Sequence, residues 1–235
     1  MQELDERCVL FFVKEPGSGN VKTRLAARLG CETASELCKC FLLDMLNMLN
    51  KLLIPFEIVY YPPQSEIQLK NLFGNSYRYT PQQGGDLGQR MKNAFSSAFN
   101  NGYEKVVLIG SDLPDLPDKY IKYAFIQLEN SDVVIGPAAD SGYYLIGFSN
   151  KSFVSAVFEN ISWSTSKVFE QTLCALKKQS KTVSILPTWN DIDTIDDLRR
   201  FVSRNVGTAS RTFSYISKQL PQLNDMAEGE NYTNV

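Results

Sequence analysis

The stretch that decides the fold runs from Val9 to Leu25, VLFFVKEPGSGNVKTRL. An unbroken apolar run ends in a loop rich in Gly and basic residues, and a helix is expected to follow. Apolar runs without alternation are what a strand covered on both faces requires. A strand, a Gly-rich loop and a helix in that order also mark the place where an α/β protein holds phosphate. The loop is not a P-loop. That pattern needs Gly directly before its Lys-Ser/Thr pair, yet Val21 precedes Lys22 and Thr23, and Pro16 stands where the other Gly would be.

Outward from this stretch, short apolar runs alternate with helical periodicity. Strands are expected at 8–13, 56–61, 77–81, 105–110, 132–137, 143–148 and 182–187, with helices near 65–73, 87–101, 118–129, 166–179 and 195–204. Thr33 and Glu36 read as a capping box opening a long helix, whose Leu37, Phe41, Met45 and Leu49 then face the sheet. The alternation implies an α/β protein with a largely parallel sheet. One domain is expected over 1–206, followed by a polar, mobile tail over 207–235.

Composition narrows the chemistry. The 235 residues contain no His, which excludes a Ser-His-Asp triad, a Cys-His dyad and any His metal ligand. Carboxylates, Lys, Arg, hydroxyls and backbone amides must do the work. A net charge of −2 gives no general attraction to nucleic acid or membrane, so any anion site is local. The five Cys are odd in number and include no C-x-x-C pair, which reads as reduced thiols in a cytoplasmic protein. The opening MQELDERCVLFFV reads as neither a signal peptide nor a membrane span.

Five segments carry candidate chemistry. In the first loop, Gly17 and Gly19 permit a tight turn, and Lys14, Lys22 and Arg24 supply cations at a strand end, where open α/β sheets bind ligands. In QQGGDLGQRM (82–91), Gly84, Gly85 and Gly88 allow close backbone approach, and Asp86 is placed to cap a helix. In VVLIGSDLPDLP (106–117), a buried strand delivers Ser111 and Asp112 to the crevice; Asp112 suits a hard divalent cation, and Asp115 a cap. In GPAADSGYYLIG (136–147), Asp140 could accept an acceptor proton, and Tyr143 or Tyr144 could stack on a ring, unless the segment is only a β-turn. Finally, Thr165 or Ser166 is placed to cap a helix with Trp163 before it, and Asp191, Asp193, Asp196 and Asp197 crowd the segment after the last strand. Asp193 could share a metal with Asp112, while Thr194 and Asp197 cap and charge a helix start.

Taken in order, KEPGSGNVKTRL, QQGGDLGQRM, IGSDLPDLP, GPAADSGYYLIG, ISWST and DIDTIDDL resemble the bacterial family of GT-A-like nucleotide-diphospho-sugar transferases, also named A-family glycosyltransferases. The resemblance spans about Val9 to Phe201. It implies a Rossmann-like three-layer α/β/α sandwich with a mostly parallel mixed sheet, binding a nucleotide diphosphate across its strand ends. It places phosphates on Lys22, Thr23 and Arg24, the nucleotide along Gly84 to Gly88, and Mg2+ or Mn2+ on Asp112. One departure stands out: Asp140-Ser141-Gly142-Tyr143 replaces the family's Asp-Gly-Gly-Tyr. If that position needs a positive φ, Ser costs on the order of 1 kcal/mol.

The activity implied is metal-dependent transfer of a sugar from a nucleotide diphosphate sugar to a small acceptor. Lys22 and Arg24 would steady the departing diphosphate, and Asp140 would serve as base if the reaction inverts. Two rivals stand beside it. VKTRLA is also similar to 2-phospholactate guanylyltransferases, which implies nucleotidyl transfer from an NTP with pyrophosphate release. The other is a non-catalytic nucleotide-binding module.

Overall fold

A computed structural model of the chain describes residues 6–17 and 22–223, so Gly19 lies outside the described residues. All seven expected strands form, each within two residues of its expected bounds: β1 (Arg7–Lys14), β2 (Phe56–Tyr61), β3 (Arg78–Pro81), β4 (Lys105–Ile109), β5 (Val133–Pro137), β6 (Tyr143–Ser149) and β7 (Val183–Ile185). They build one sheet in the order β3-β2-β1-β4-β6-β5-β7. β1 lies in its interior, parallel to both neighbours, with Phe11 opposite Ile58 on one side and Ile109 on the other. β6 alone runs against its neighbours β4 and β5.

The residues of β1 explain the layering. Val9, Phe11 and Val13 point to one face, where they pack with α2 (Cys31–Leu52), α3 (Glu66–Phe73) and α5 (Asp118–Gln127). Cys8, Leu10 and Phe12 point to the other and meet α4 (Leu87–Asn100) and α6 (Val168–Lys178). Because successive strand residues face opposite sides, a run apolar at every position demands cover on both. The helices supply it, giving the three-layer α/β/α sandwich.

A third apolar cluster sits beyond the sheet. It joins Leu25 of α1 (Thr23–Leu29), Leu37 and Phe41 of α2, Ile192, and Leu198 and Phe201 of α7 (Ile195–Arg204). Its value is positional: Leu25 and Ile192 are buried completely or nearly so, and each lies within three residues of a charged side chain of the site.

Two expectations are corrected. α2 begins at Cys31, so Thr33 and Glu36 lie inside it and form no capping box. Gly30, at φ +85°, ends α1 and starts α2 in one residue, a turn that glycine makes without strain. Of the polar tail expected over 207–235, residues 224–235 lie outside the described residues, and the remainder carries α8 (Arg211–Gln219). Ile216, Leu220 and Leu223 of this segment are buried in the third cluster. The buried carboxylate of Asp44 accepts hydrogen bonds from the N–H groups of Arg211 (2.8 Å) and Thr212 (2.9 Å), fixing the start of α8 on α2.

Candidate functional site

The chain runs from β1 outward to β2 and β3, then returns to place β4 on the other side of β1. That reversal is where ligands bind in open α/β sheets, outside the carboxyl ends of the strands. Lys14 closes β1 there, and Gly110, Ser111 and Asp112 leave β4 beside it.

Lys22 is the N-cap of α1 and holds a left-handed conformation, φ +50°. Its ammonium lies 2.8 Å from Asp112 Oδ2 and also donates to Asp193 Oδ1. The lysine side chain is only 4% exposed, whereas the two carboxylates are 45% and 41% exposed. Burial alone would lower the Lys22 pKa, but the charges and hydrogen bonds of Asp112 and Asp193 outweigh it and hold it above the ordinary lysine range. The lysine is a fixed cation. Main-chain bonds set the partners: Ile192 N–H donates to the Asp112 carbonyl (3.0 Å), clamping the loop after β7 onto the end of β4. Asp197, in the capping box with Thr194, accepts the N–H groups of Asp193 (3.1 Å) and Thr194 (2.7 Å). Thus Asp112 and Asp193, 81 positions apart, are delivered to one ammonium.

Two cavities meet at this ion triad. The first, about 640 Å³, is lined by Lys14, Lys22 and Arg90 against Asp112 and Asp193, with Tyr61 and Gln82 on its wall. The Arg90 guanidinium lies over the Tyr61 ring, 3.8 Å from its centroid, a cation–π contact that holds it in place. The second, about 690 Å³, carries Asp112, Asp140, Asp191 and Asp193 against the exposed Arg24, with Tyr143 and Trp163 as aromatic wall. Both volumes suit a small-molecule ligand. One cavity is cationic and the other acidic.

Asp191 registers that acidity. Burial first, then the neighbouring carboxylates of Asp193 and Asp140, push its pKa from 3.8 up to about 6, with Lys22 pulling the other way. A raised carboxylate pKa means the fold binds this proton more tightly than the unfolded chain does. The burden is therefore absent below about pH 4, grows as pH rises toward 6 and is complete above that. Asp191→Asn should melt with wild type near pH 4 and above it at pH 7, as melting curves across that range would show.

The remaining expected residues fall into three groups. Ser111 lines both cavities. In the second, Asp140 stands with its Oδ1 accepting from Gly142 N–H (2.9 Å). Tyr143 also lines it, though its hydroxyl points inward to Met91 Sδ at 3.8 Å. The intervening Ser141 takes φ +71°, the strained conformation that its departure from Gly anticipated. Gly84, Gly85 and Asp86 line neither cavity. They make the turn into α4: Gly84 sits at φ +136°, Gly85 N–H donates to Gln89 Oε1, and Asp86 caps Gln89 N–H at 2.8 Å. Gly88 is a packing position; an added Cβ would stand 2.5 Å from the Phe158 carbonyl and 2.7 Å from Trp163. Gly17 donates to its neighbour Glu15, and Thr23 is an exposed first residue of α1.

Asp115 is not a cap. Its side chain, largely covered, lies beneath Trp189 Nε1, Arg204 and Asn205, whose donors reach it at 3.3, 2.9 and 3.0 Å. Thr165 Oγ1 accepts from Lys167 N–H at 3.3 Å, while α6 starts at Val168 with no side-chain cap. Sequence reading passed over Arg90 and Tyr61, and named Asp191 without giving it a role. For Arg90 a signal existed: it follows Leu87 by three in a helix, so the two share a face.

The two expected metal ligands are thus brought together, with the Lys22 ammonium between them. Among the described residues no three acidic or thiol side chains are arranged to hold a metal ion. Mg2+ characteristically takes one or two carboxylates and completes its shell with water and substrate phosphate oxygens. The pair fits such an ion in the company of a diphosphate.

Comparison with known proteins places the chain. The family profile of DUF2064, uncharacterized proteins conserved in bacteria, matches residues 45–165. An inferred nucleotide-diphospho-sugar transferase from Desulfovibrio desulfuricans G20 is 38% identical, with 95% of this chain and 99% of that chain covered and a TM-score of 0.90. A cytidylyltransferase from Leptospira borgpetersenii is 15% identical with 99% of each chain covered and a TM-score of 0.56. A CMP:2-keto-3-deoxy-manno-octonic acid synthetase is 7% identical, with 83% of this chain and 96% of that chain covered and a TM-score of 0.54. These last two share the fold alone. No curated protein matches. Among the described residues no helix is long and apolar enough to cross a membrane. At 38% identity over nearly the full length of both chains, the protein belongs to the bacterial DUF2064 family, built on the nucleotide-diphospho-sugar transferase fold.

Proposed function

We propose that the protein transfers a sugar from a nucleotide diphosphate sugar to a hydroxyl-bearing small molecule. The observation that carries this reading is the opposite charge of two cavities that share the Asp112 and Asp193 carboxylates, with Lys22 on the cationic side. A diphosphate belongs with Lys14, Lys22 and Arg90 in the first. Sugar and acceptor hydroxyls belong in the second, where Asp140 and Asp191 can accept their hydrogens and Trp163 can pack a ring face. The rival, nucleotidyl transfer, would put a phosphorylated acceptor there. At ~6 Å and an effective dielectric of about 20, each phosphate–carboxylate pair would cost roughly 3 kcal/mol per unit charge.

In this reading the bond from the anomeric carbon to the diphosphate oxygen breaks and one to the acceptor oxygen forms. The bonding pair leaves with the diphosphate, whose growing charge Lys22 and Arg90 meet at fixed positions. The acceptor proton passes to Asp140, whose Oδ1 is oriented by Gly142 N–H. Asp112 and Asp193 would hold a divalent ion, which when bound adds Lewis-acid neutralisation of the diphosphate.

Thermal shift tests the donor. At about 100 Kd a ligand stabilises the fold by about 2.7 kcal/mol, or roughly 5–10 °C for a chain of this size. One nucleotide diphosphate sugar, or its diphosphate, should give that shift with Mg2+ or Mn2+. A shift confined to an NTP would assign nucleotidyl transfer instead, and no shift with any would remove the phosphate reading.

A further inference from the structure

We propose that in the free protein the Lys22 ammonium fills the cation position between Asp112 and Asp193, so a divalent ion enters only together with a phosphate-bearing ligand. The proposed donor chemistry enters this inference in one respect, the naming of that ligand as a diphosphate.

Three observations carry it. The ammonium is held by both carboxylates at once, 2.8 Å from Asp112 Oδ2 and hydrogen-bonded to Asp193 Oδ1. One oxygen of each carboxylate is therefore already engaged by a cation. Next, Lys22 is far more buried than either partner, 4% exposed against 45% and 41%, so the lysine lies at the protein side and the carboxylates open to the cavity. Finally, the main chain holds the two carboxylates at this spacing. The Ile192 N–H bond to the Asp112 carbonyl and the Asp197 carboxylate beneath the Asp193 N–H fix both loops. The main chain of Lys22 is held as well, since its carbonyl accepts from Ala26 N–H (2.8 Å) and Leu25, three residues on, is fully buried, which leaves only the ammonium end of the side chain to change partner.

A bare divalent ion would have to share these oxygens with an ammonium a few ångströms away, and like charges in a partly desolvated site repel. A diphosphate changes the balance. Its oxygens accept the lysine hydrogens and complete the ion's shell, and Lys14 and Arg90 line the same cavity to receive its charge. Lys22 then moves from pairing with the protein to pairing with the ligand.

Water-proton relaxation by Mn2+ reads this directly, because ion bound to a slowly tumbling protein enhances relaxation and ion in a small complex does not. Wild-type protein with Mn2+ alone should give no enhancement, and adding methylenediphosphonate should produce it. Lys22→Met should bind Mn2+ without diphosphonate at least ~10-fold more tightly than wild type, because two uncompensated carboxylates remain. Lys22→Arg should behave as wild type, and adding Asp112→Asn to Lys22→Met should abolish the new site. Lys22→Gln stands in if Lys22→Met does not give a cooperative melt. Strong enhancement in wild type with Mn2+ alone would overturn the proposal, as would its absence from folded Lys22→Met or from wild type with diphosphonate. No donor is used, so failure to turn over any nucleotide sugar would leave this result standing.

Discussion

Asp112→Asn is expected to lower donor turnover about 10²- to 10³-fold, because the divalent ion that would neutralise the departing diphosphate loses one of its two carboxylates. Asn keeps the shape of the side chain and discards its charge. The fold should not notice. The carboxylate is 45% exposed, and the structural contact of this residue is its carbonyl, which still receives Ile192 N–H. Lys22 also retains Asp193 as counter-charge. Steady-state kinetics beside a melting curve separates the two effects. Turnover near the wild-type value, or a loss matched by unfolding, would remove Asp112 from the site.

The second large effect is on stability. Asp44→Ala should cost about 2–4 kcal/mol, because the buried N–H of Thr212 and the part-buried N–H of Arg211 lose a charged acceptor and gain nothing. For a chain of this length that lowers Tm by roughly 5–12 °C. Turnover per folded molecule should stay unchanged, since Asp44 lines neither cavity of the site. A Tm within 2 °C of wild type, a span worth less than about 1 kcal/mol, would show that α8 is held by its apolar residues alone.

These two residues also mark how far sequence reading reaches. Asp112 was legible because a buried apolar run ending in Gly110-Ser111-Asp112 has one physical meaning, a strand delivering a carboxylate to the crevice. The seven strands were legible for the same reason: local apolar density and turn residues decide them. Asp44 was not, because a lone acid on an apolar helix face acquires its role from a segment 167 positions away. α8 was missed with it, since Ile216, Leu220 and Leu223 look sparse until α2 lies beside them. The start of α2 went to the wrong residues because Thr33 and Glu36 fit the capping pattern, while the turn at Gly30 depends on α1 packing against α2.

The site shows the same divide. That Lys22, Asp112 and Asp193 carry charge at strand and loop ends is local; that one ammonium bridges both carboxylates is tertiary. The glycines of QQGGDLGQRM were read as ligand-facing because Gly permits close approach, and the structure uses that freedom for the turn into α4 and for Trp163. Arg90 and Tyr61 come from distant segments and define the cationic cavity only together. Charge sorting into one cationic and one acidic cavity cannot be read from a chain whose net charge is −2.

The measurement that tests the central claim most directly is the identity of the released product. Purified protein is offered a panel of nucleotide diphosphate sugars and, separately, NTPs with phosphorylated acceptors, each with Mg2+ or Mn2+. Nucleoside diphosphate and pyrophosphate are then followed together. Glycosyl transfer at these two cavities predicts nucleoside diphosphate from one sugar donor and no pyrophosphate from any NTP. Pyrophosphate release that depends on a phosphorylated acceptor would contradict it.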